Sequence, residues 1–556
     1  LTTALTSAII CQAEVNAALL MKLEYGAPSL WALISSQGPV AVKTGNSRVD
    51  FPMQNVDAAI RALIKRKGAN MRFSNIIPTP KEMSIQRETV TIDSNWGIDD
   101  RSGKPDIGRR CAEQLNLSRD KRKSNVTLLR EDGLKPQEYR LDIARDGISI
   151  IAASGNGFLH ALATIKQLRN GPLLPIGNIR DYPRLAMRGF HFMFESIRQL
   201  GVKEAAALID SAARLKLNTL LFEFGPRFPF ERHATVRSPS ALTGSELRQL
   251  LDQARSHGIQ CIPLQQSLGH LNYLLRHDEY SHIREENEVR AQMCPTNEDS
   301  FRVFTELAEE VLSYFPDSRF MHIGADETRQ LGVCPRCQEE EKRTSKGSLY
   351  VNYINKVCAW LSERGVRPIL WDDILCRHPH ILNELHQDAC IMYWDYWTTQ
   401  SPSPLIVARY NPDDLPGVVV YDTRWQEDWK NELPEVTANA MKSFARPVDL
   451  GKRLGGNFSQ VFGPYLGDEL PKYVRAFPYL EYYLASGRPV IGAPAGGSNT
   501  SDWLSLPDYP RYAHNIKTFA ERAHEAGAEG IVTTAWYNFP FEALYPSLLA
   551  TAQFAW

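Results

Sequence analysis

An α/β fold, with a (β/α)8 TIM barrel behind a small α+β domain, is predicted for this chain on three observations. From Arg188 onward eight short β-rich apolar runs alternate with amphipathic helices, which is the count and order of a TIM barrel. Ahead of them, residues 71–182 break into short runs with a two-residue alternation, the pattern of half-buried strands. No Gly-rich phosphate loop follows any early strand, which argues against a doubly wound open sheet around a nucleotide.

The elements follow in order. Residues 1–70 read as helical, with apolar groups at Ile9, Val15, Leu19 and Leu20 and again at Ala58, Ile60, Leu63 and Ile64, and carry no functional signal. In the 71–182 domain, runs at 126–129, 139–143 and 148–151 read as strands, with a turn at Asp146-Gly147. Leu159, Leu162, Ile165 and Leu168 then make one face of a helix. The third domain, 183–556, holds the barrel runs at 189–194, 219–224, 260–264, 320–323, 368–371, 390–394, 489–493 and 530–536. Between them, 202–215, 246–257, 301–315, 349–364 and 513–526 repeat apolar residues three or four apart, as helices do. A long insertion at about 398–487 separates the sixth run from the seventh and is expected on a loop.

Composition narrows the function. The chain has 556 residues, 43% hydrophobic and 23% charged, and a net charge of -1, so nucleic acid and anionic membranes are poor partners. No run approaches the ~20 apolar residues of a membrane span. The 9 cysteines are scattered, which favours a reducing, cytoplasmic location. Residues 1–13 hold an apolar stretch ending in small side chains, so a periplasmic or secreted protein with a leader remnant is the alternative. Whether the chain forms a homodimer stays open.

In a barrel, chemistry sits where strands end. The strand ends carry Arg188 at the start of the first run, Glu223 on the second, and then His270, Asp326-Glu327, Trp371-Asp372-Asp373, Trp394-Asp395-Tyr396 and Trp536. Aromatic rings stack on sugar rings while carboxylates and Arg bond hydroxyls, so this inventory suggests a pyranose pocket. Adjacent carboxylates on a regular strand point to opposite faces, so Asp326 and Glu327 have separate jobs or one is turned by a loop. A Glu near an apolar wall and a second negative charge would keep its proton near neutral pH and serve as a general acid. Capping of the next helix is the ordinary role for such a pair.

The string His322-Ile323-Gly324-Ala325-Asp326-Glu327 resembles the catalytic signature of glycoside hydrolase family 20, the β-N-acetylhexosaminidases. Leu221-Phe222-Glu223-Phe224, Gln265-Gln266-Ser267-Leu268-Gly269-His270, Trp371-Asp372-Asp373 and Trp394-Asp395-Tyr396 are similar to the hexosaminidase D-like branch. The resemblance implies exo action on terminal β-GlcNAc or β-GalNAc of a glycan or glycoconjugate. It also implies a retaining, substrate-assisted mechanism in which the substrate's acetamido oxygen attacks the anomeric carbon to give an oxazolinium. It makes Glu327 the acid and base, and gives Asp326 the acetamido group to orient. It maps Arg188 onto a sugar-binding Arg, and Trp371, Trp394 and Trp536 onto aromatic walls. Tyr396, or else Tyr393, would hold the acetamido oxygen. Asp372 and Glu542 join the binding set, with Glu542 equally able to cap a helix, and His270 and His322 would brace the loops. No H-x-H pair or third ligand stands at suitable spacing around these histidines, so no metal is expected, and no cofactor is expected either. Two departures stand out: residues 190–196 differ from the hexosaminidase D-like branch after its first-strand Arg, and 265–270 lack the acidic residue that many family members carry before the Gly-His.

Two other readings use the same residues. One is a two-carboxylate glycosidase with Asp372 or Asp373 as nucleophile; the other is a sugar-binding protein on an inactive barrel. Cys334-Pro335-Arg336-Cys337 is half a metal site at most, and loop thiols, a local disulfide and a metal with distant ligands all remain open.

Overall fold

A computed structural model describes residues 76–117, 124–195, 199–396, 398, 479–498, 507–536 and 541–556, together with five short strands outside those ranges. Eight parallel strands form the barrel: Met187–Met193, Thr219–Glu223, Gln260–Leu264, Phe320–His322, Arg367–Trp371, Cys390–Trp394, Val490–Ala493 and Gly530–Ala535. The eighth pairs with the first, Gly530 opposite Met187 through Thr533 opposite Phe190, and this closes the sheet. Leu220, Leu221 and Phe222 are all buried, as expected where helices cover one face of a parallel strand and the barrel interior covers the other.

Register decides which side chains reach the barrel interior. Phe192 pairs with Phe222, and Phe222 meets Phe315 at the end of helix Glu298–Tyr314, so these rings face the helical layer. His191, Met193 and Glu223 have the opposite parity and face inward. The helices begin where the sequence offers caps. Helix Gly244–Ser256 starts with a reciprocal pair, in which Thr243 accepts from the Glu246 N–H and Glu246 from the Thr243 N–H.

The preceding domain is a six-stranded sheet in the order Glu82–Thr91, Leu173–Asp181, Tyr139–Ile143, Ile148–Ala152, Ser124–Arg130, Gly97–Arg101, with helices Pro105–Leu115 and Gly155–Leu168. It docks under the strands' N-terminal ends through a buried polar cluster. Asp181 takes the Lys216 ammonium at 2.7 Å, the Tyr139 hydroxyl at 2.9 Å and the Trp556 indole N–H at 2.7 Å. Both charges are fully buried, so each depends on the other for the solvation it has lost.

In the N-terminal segment, where periodicity reads as helix, strands Ala41–Thr44 and Ser47–Asp50 pair antiparallel. The rest of 1–75 lies outside the described residues. The 398–487 insertion contributes a three-stranded sheet, Val407–Ala408, Val419–Asp422 and Ala445–Val448, and helix Tyr479–Ala485. Among the described residues no helix is long and apolar enough to cross a membrane.

Candidate active site

The fourth barrel strand ends at His322, and the backbone then turns through three left-handed residues, Gly324 at φ 62°, Ala325 at 68° and Glu327 at 48°. A Cβ on Gly324 would push against the end of the Gln266 side chain, and its left-handed φ favours glycine. At Ala325 and Glu327 this conformation costs about 1–2 kcal/mol each. It persists because neighbouring groups determine it: the Glu327 N–H donates to Asp373 Oδ2 at 2.9 Å, and the Trp371 N–H to the Gly324 carbonyl at 3.1 Å. The turn sets the adjacent carboxylates on a common side, against His270.

His270, itself left-handed at φ 55°, places Nε2 3.2 Å from Asp326 and 3.7 Å from Glu327. The Asp326 charge raises His270 to about 10, against the opposing effect of burial. Burial pushes Asp326 upward, but the charge and hydrogen bond of His270 outweigh it and hold the carboxyl below its ordinary 3.8. The ion pair therefore stands across the neutral range. Its His270 contribution to stability is complete below about pH 6.5 and fades as pH rises toward 10, while the Asp326 contribution is lost as pH falls below 3.8. In an NMR titration His270 is expected to titrate near 10 and to return toward 6.5 in Asp326→Asn; a midpoint near 6.5 in the unmodified protein would refute the pairing. Asp326 Oδ1 is buried and has no protein hydrogen-bond partner among the described residues.

Glu327 is more open than an apolar-wall acid would be. Its carboxylate meets Arg329 at 3.0 Å as well as His270, so the apolar surroundings expected for it are not what this site provides.

The aromatic residues assemble beside this acidic corner. Trp371, fully buried, packs on His322 at 4.4 Å and on Trp536 at 5.4 Å, as the floor beneath Trp536. The Trp536 indole N–H donates to the Tyr396 hydroxyl, and Tyr396 packs on Trp394 at 5.1 Å. Tyr393 instead stacks on Phe519 of helix Tyr509–Ala526, so the strand register selects Tyr396 for the pocket. Burial lowers His322 to about 3, and its Nδ1 accepts from the Gly324 N–H at 3.0 Å, so the ring is neutral and protonated at Nε2.

Two assignments are corrected. Arg188 is the second residue of its strand and lies at the N-terminal end, opposite the acidic corner. It is fully buried, and its guanidinium donates to the carbonyls of Leu185, Ala186 and Lys216 and to Gln137, so it holds the domains together and cannot reach a sugar. Asp372 is also fully buried; it accepts from the Trp394 N–H at 3.2 Å, Cys376 Sγ at 3.0 Å and the Tyr483 hydroxyl at 3.3 Å. That network lies toward the helices, and Asp373 takes the place at the Gly324–Glu327 turn. Glu542 begins the last helix, and its side chain lies outside the described residues.

Two inward residues complete the floor. His191 bonds Glu223 at 3.1 Å and touches the Trp536 ring at 5.0 Å, and Gln266 reaches Glu223 at 3.4 Å. His191 has a legible signal in the sequence, as the one polar residue between two outward phenylalanines. His191, within the 190–196 stretch that departs from the expected pattern, therefore belongs to the pocket floor.

Fold and site together define a (β/α)8 barrel whose C-terminal face joins a carboxylate pair to an aromatic wall, the architecture of a glycoside hydrolase. Two family models match the chain: glycosyl hydrolase family 20, domain 2, over residues 74–182, and its catalytic domain over 188–412. The chain belongs to glycosyl hydrolase family 20. It is 29% identical over 166 residues to hexosaminidase D of Bos taurus, covering 29% of this chain and 48% of that protein. To the Homo sapiens protein of the same name it is 30% identical over 166 residues, 29% of this chain and 34% of the other. The chain thus spans about half or less of these relatives. A beta-N-acetylhexosaminidase structure from Bacteroides fragilis superposes with a TM-score of 0.62 at 15% identity, covering 86% of this chain and 90% of that one, and shares the fold.

Proposed function

We propose that this protein is an exo-acting β-N-acetylhexosaminidase, removing terminal non-reducing β-GlcNAc, β-GalNAc or both by the substrate-assisted retaining mechanism. The observation that carries the proposal is Asp326. It is buried and ionised, its Oδ2 is held by His270, and its Oδ1 is left for an N–H donor beside Glu327. An acetamido N–H supplies that donor, and the carboxylate then balances the charge that grows on the oxazolinium. Glu327 protonates the leaving oxygen and later takes a proton from water. Tyr396, next to Trp394 and Trp536, would hold the acetamido oxygen. The name of the two reported relatives, hexosaminidase D, points the same way.

A conventional nucleophile is disfavoured, because Asp372 is enclosed by its own hydrogen bonds and Asp373 holds the Glu327 backbone. Hydrolysis of aryl N-acetyl-β-glucosaminide and N-acetyl-β-galactosaminide tests the proposal, with a thiazoline mimic of the oxazolinium as a tight inhibitor. No turnover of either substrate would leave a sugar-binding barrel.

Arg188→Met separates the corrected role from the original one. Loss of charged donors to buried carbonyls is expected to lower stability by about 3 kcal/mol in urea unfolding, with KM for the aryl substrate within about twofold of the unmodified protein. A tenfold rise in KM at unchanged stability would return Arg188 to the sugar.

A further inference from the structure

Beyond Glu327 the fourth-strand loop reaches Cys334 and Cys337 at the start of helix Pro335–Arg343. Facing them, the loop after the third strand brings Cys294 and Glu285. Cys294 Sγ lies 3.5 Å from the Sγ of Cys334 and 3.5 Å from that of Cys337, and Cys337 Sγ lies 3.2 Å from Glu285 Oε2. The four ligand atoms all fall within 4.8 Å of one another. We propose that Cys294, Cys334, Cys337 and Glu285 bind one structural zinc ion, which staples the loop carrying His270 to the loop carrying Asp326 and Glu327.

The distances suit a tetrahedron. With Zn–S of about 2.3 Å and Zn–O of about 2.0 Å, its edges are about 3.7 Å between sulfurs and about 3.5 Å from sulfur to oxygen, close to the separations observed. A disulfide explains less. The sulfurs stand well beyond the ~2.05 Å of an S–S bond, and three thiols cannot pair without leaving one over. Nor would a disulfide account for Glu285, a carboxylate 2% exposed with no Lys or Arg in ion-pair reach among the described residues. Glu285 Oε1 accepts the N–H groups of Val333 at 2.8 Å and Cys334 at 3.0 Å, and this turns Oε2 toward the sulfurs.

The surroundings suit bound thiolates. The Cys337 N–H points at Cys334 Sγ, 3.3 Å away, and Thr296 Oγ1 lies 3.2 Å from the sulfurs of Cys294 and Cys337. The positive N-terminal end of helix Pro335–Arg343 faces the same point. A soft, sulfur-rich, four-ligand set selects zinc over magnesium or calcium. The thiols release their protons as the metal enters.

The two loops already touch through the Gln330 N–H, which donates to Gln292 Oε1 at 3.1 Å. The ion would join them firmly without taking part in sugar chemistry. The expectation of no metal came from the histidines at the strand ends. The Cys334/Cys337 pair looked incomplete because its third sulfur lies 40 residues upstream of Cys334, far outside the usual spacing.

The test is the zinc content of the full chain purified without chelators. About one zinc per chain is expected, released when an organomercurial caps the thiols. Cys294→Ser should lower the content at least tenfold, while Cys261→Ser, a thiol of the third strand outside the cluster, should leave it unchanged. If Cys294→Ser does not fold, cobalt(II) exchanged into the unmodified protein decides: intense tetrahedral bands with thiolate charge transfer support the site, and a pale octahedral spectrum overturns it. Folded, zinc-free protein whose Cys294, Cys334 and Cys337 alkylate freely or carry a disulfide would also overturn it.

Discussion

Glu327→Gln is expected to cut turnover of N-acetylhexosaminides with ordinary alcohol leaving groups by about 100- to 10,000-fold, the range of a positioned general acid. The amide holds no transferable proton, so a poor leaving oxygen would have to depart as an alkoxide. Aryl substrates with very acidic leaving groups need little protonation and should lose far less. The backbone of the turn should survive, because the Glu327 N–H, not its carboxyl, bonds Asp373. Measuring kcat/KM over a series of leaving groups checks this: the slope against leaving-group pKa should steepen in the variant. An equal loss across the series would remove Glu327 from the acid role.

Asp326→Asn should lower transition-state stabilisation by about 2–4 kcal/mol, the scale of losing a preorganised electrostatic partner. The amide oxygen can still accept the acetamido N–H, yet it carries no charge to balance the oxazolinium, so the loss falls on kcat more than on KM. Removing the charge also leaves His270 without the partner that raises it to about 10. A substrate with a 2-hydroxyl in place of the acetamido group should be nearly inert with both proteins, since its nucleophile is gone. Efficient hydrolysis of that glucoside by the unmodified protein, or indifference to Asp326→Asn, would establish a conventional nucleophile instead.

The corrected residues show what each level of structure can settle. The motif points Arg188 at the sugar, yet it is the second residue of its strand, and a parallel barrel gathers its site at the opposite ends. Strand direction alone could have excluded it. In Trp371-Asp372-Asp373 the two-residue alternation sends Trp371 inward and Asp372 toward the helices. Asp373, just past the strand, then turns back to the Glu327 N–H. Tyr393 and Tyr396 separate for the same reason, one on the strand's outer face and one beyond its end.

By itself the sequence determined the barrel, the domain ahead of it and the carboxylate pair, because these rest on local signals: apolar periodicity, capping residues and a contiguous motif. Tertiary structure alone decided how those carboxylates work. The left-handed turn that sets Asp326 and Glu327 side by side is held by Trp371 at the end of the fifth strand and Asp373 just past it, and the charge on His270 by the carboxylates opposite. The meeting of Cys294 and Glu285 with Cys334 and Cys337 is likewise a product of chain crossing, because sequence spacing records distance along the chain, whereas ligand geometry and electrostatics depend on distance through space.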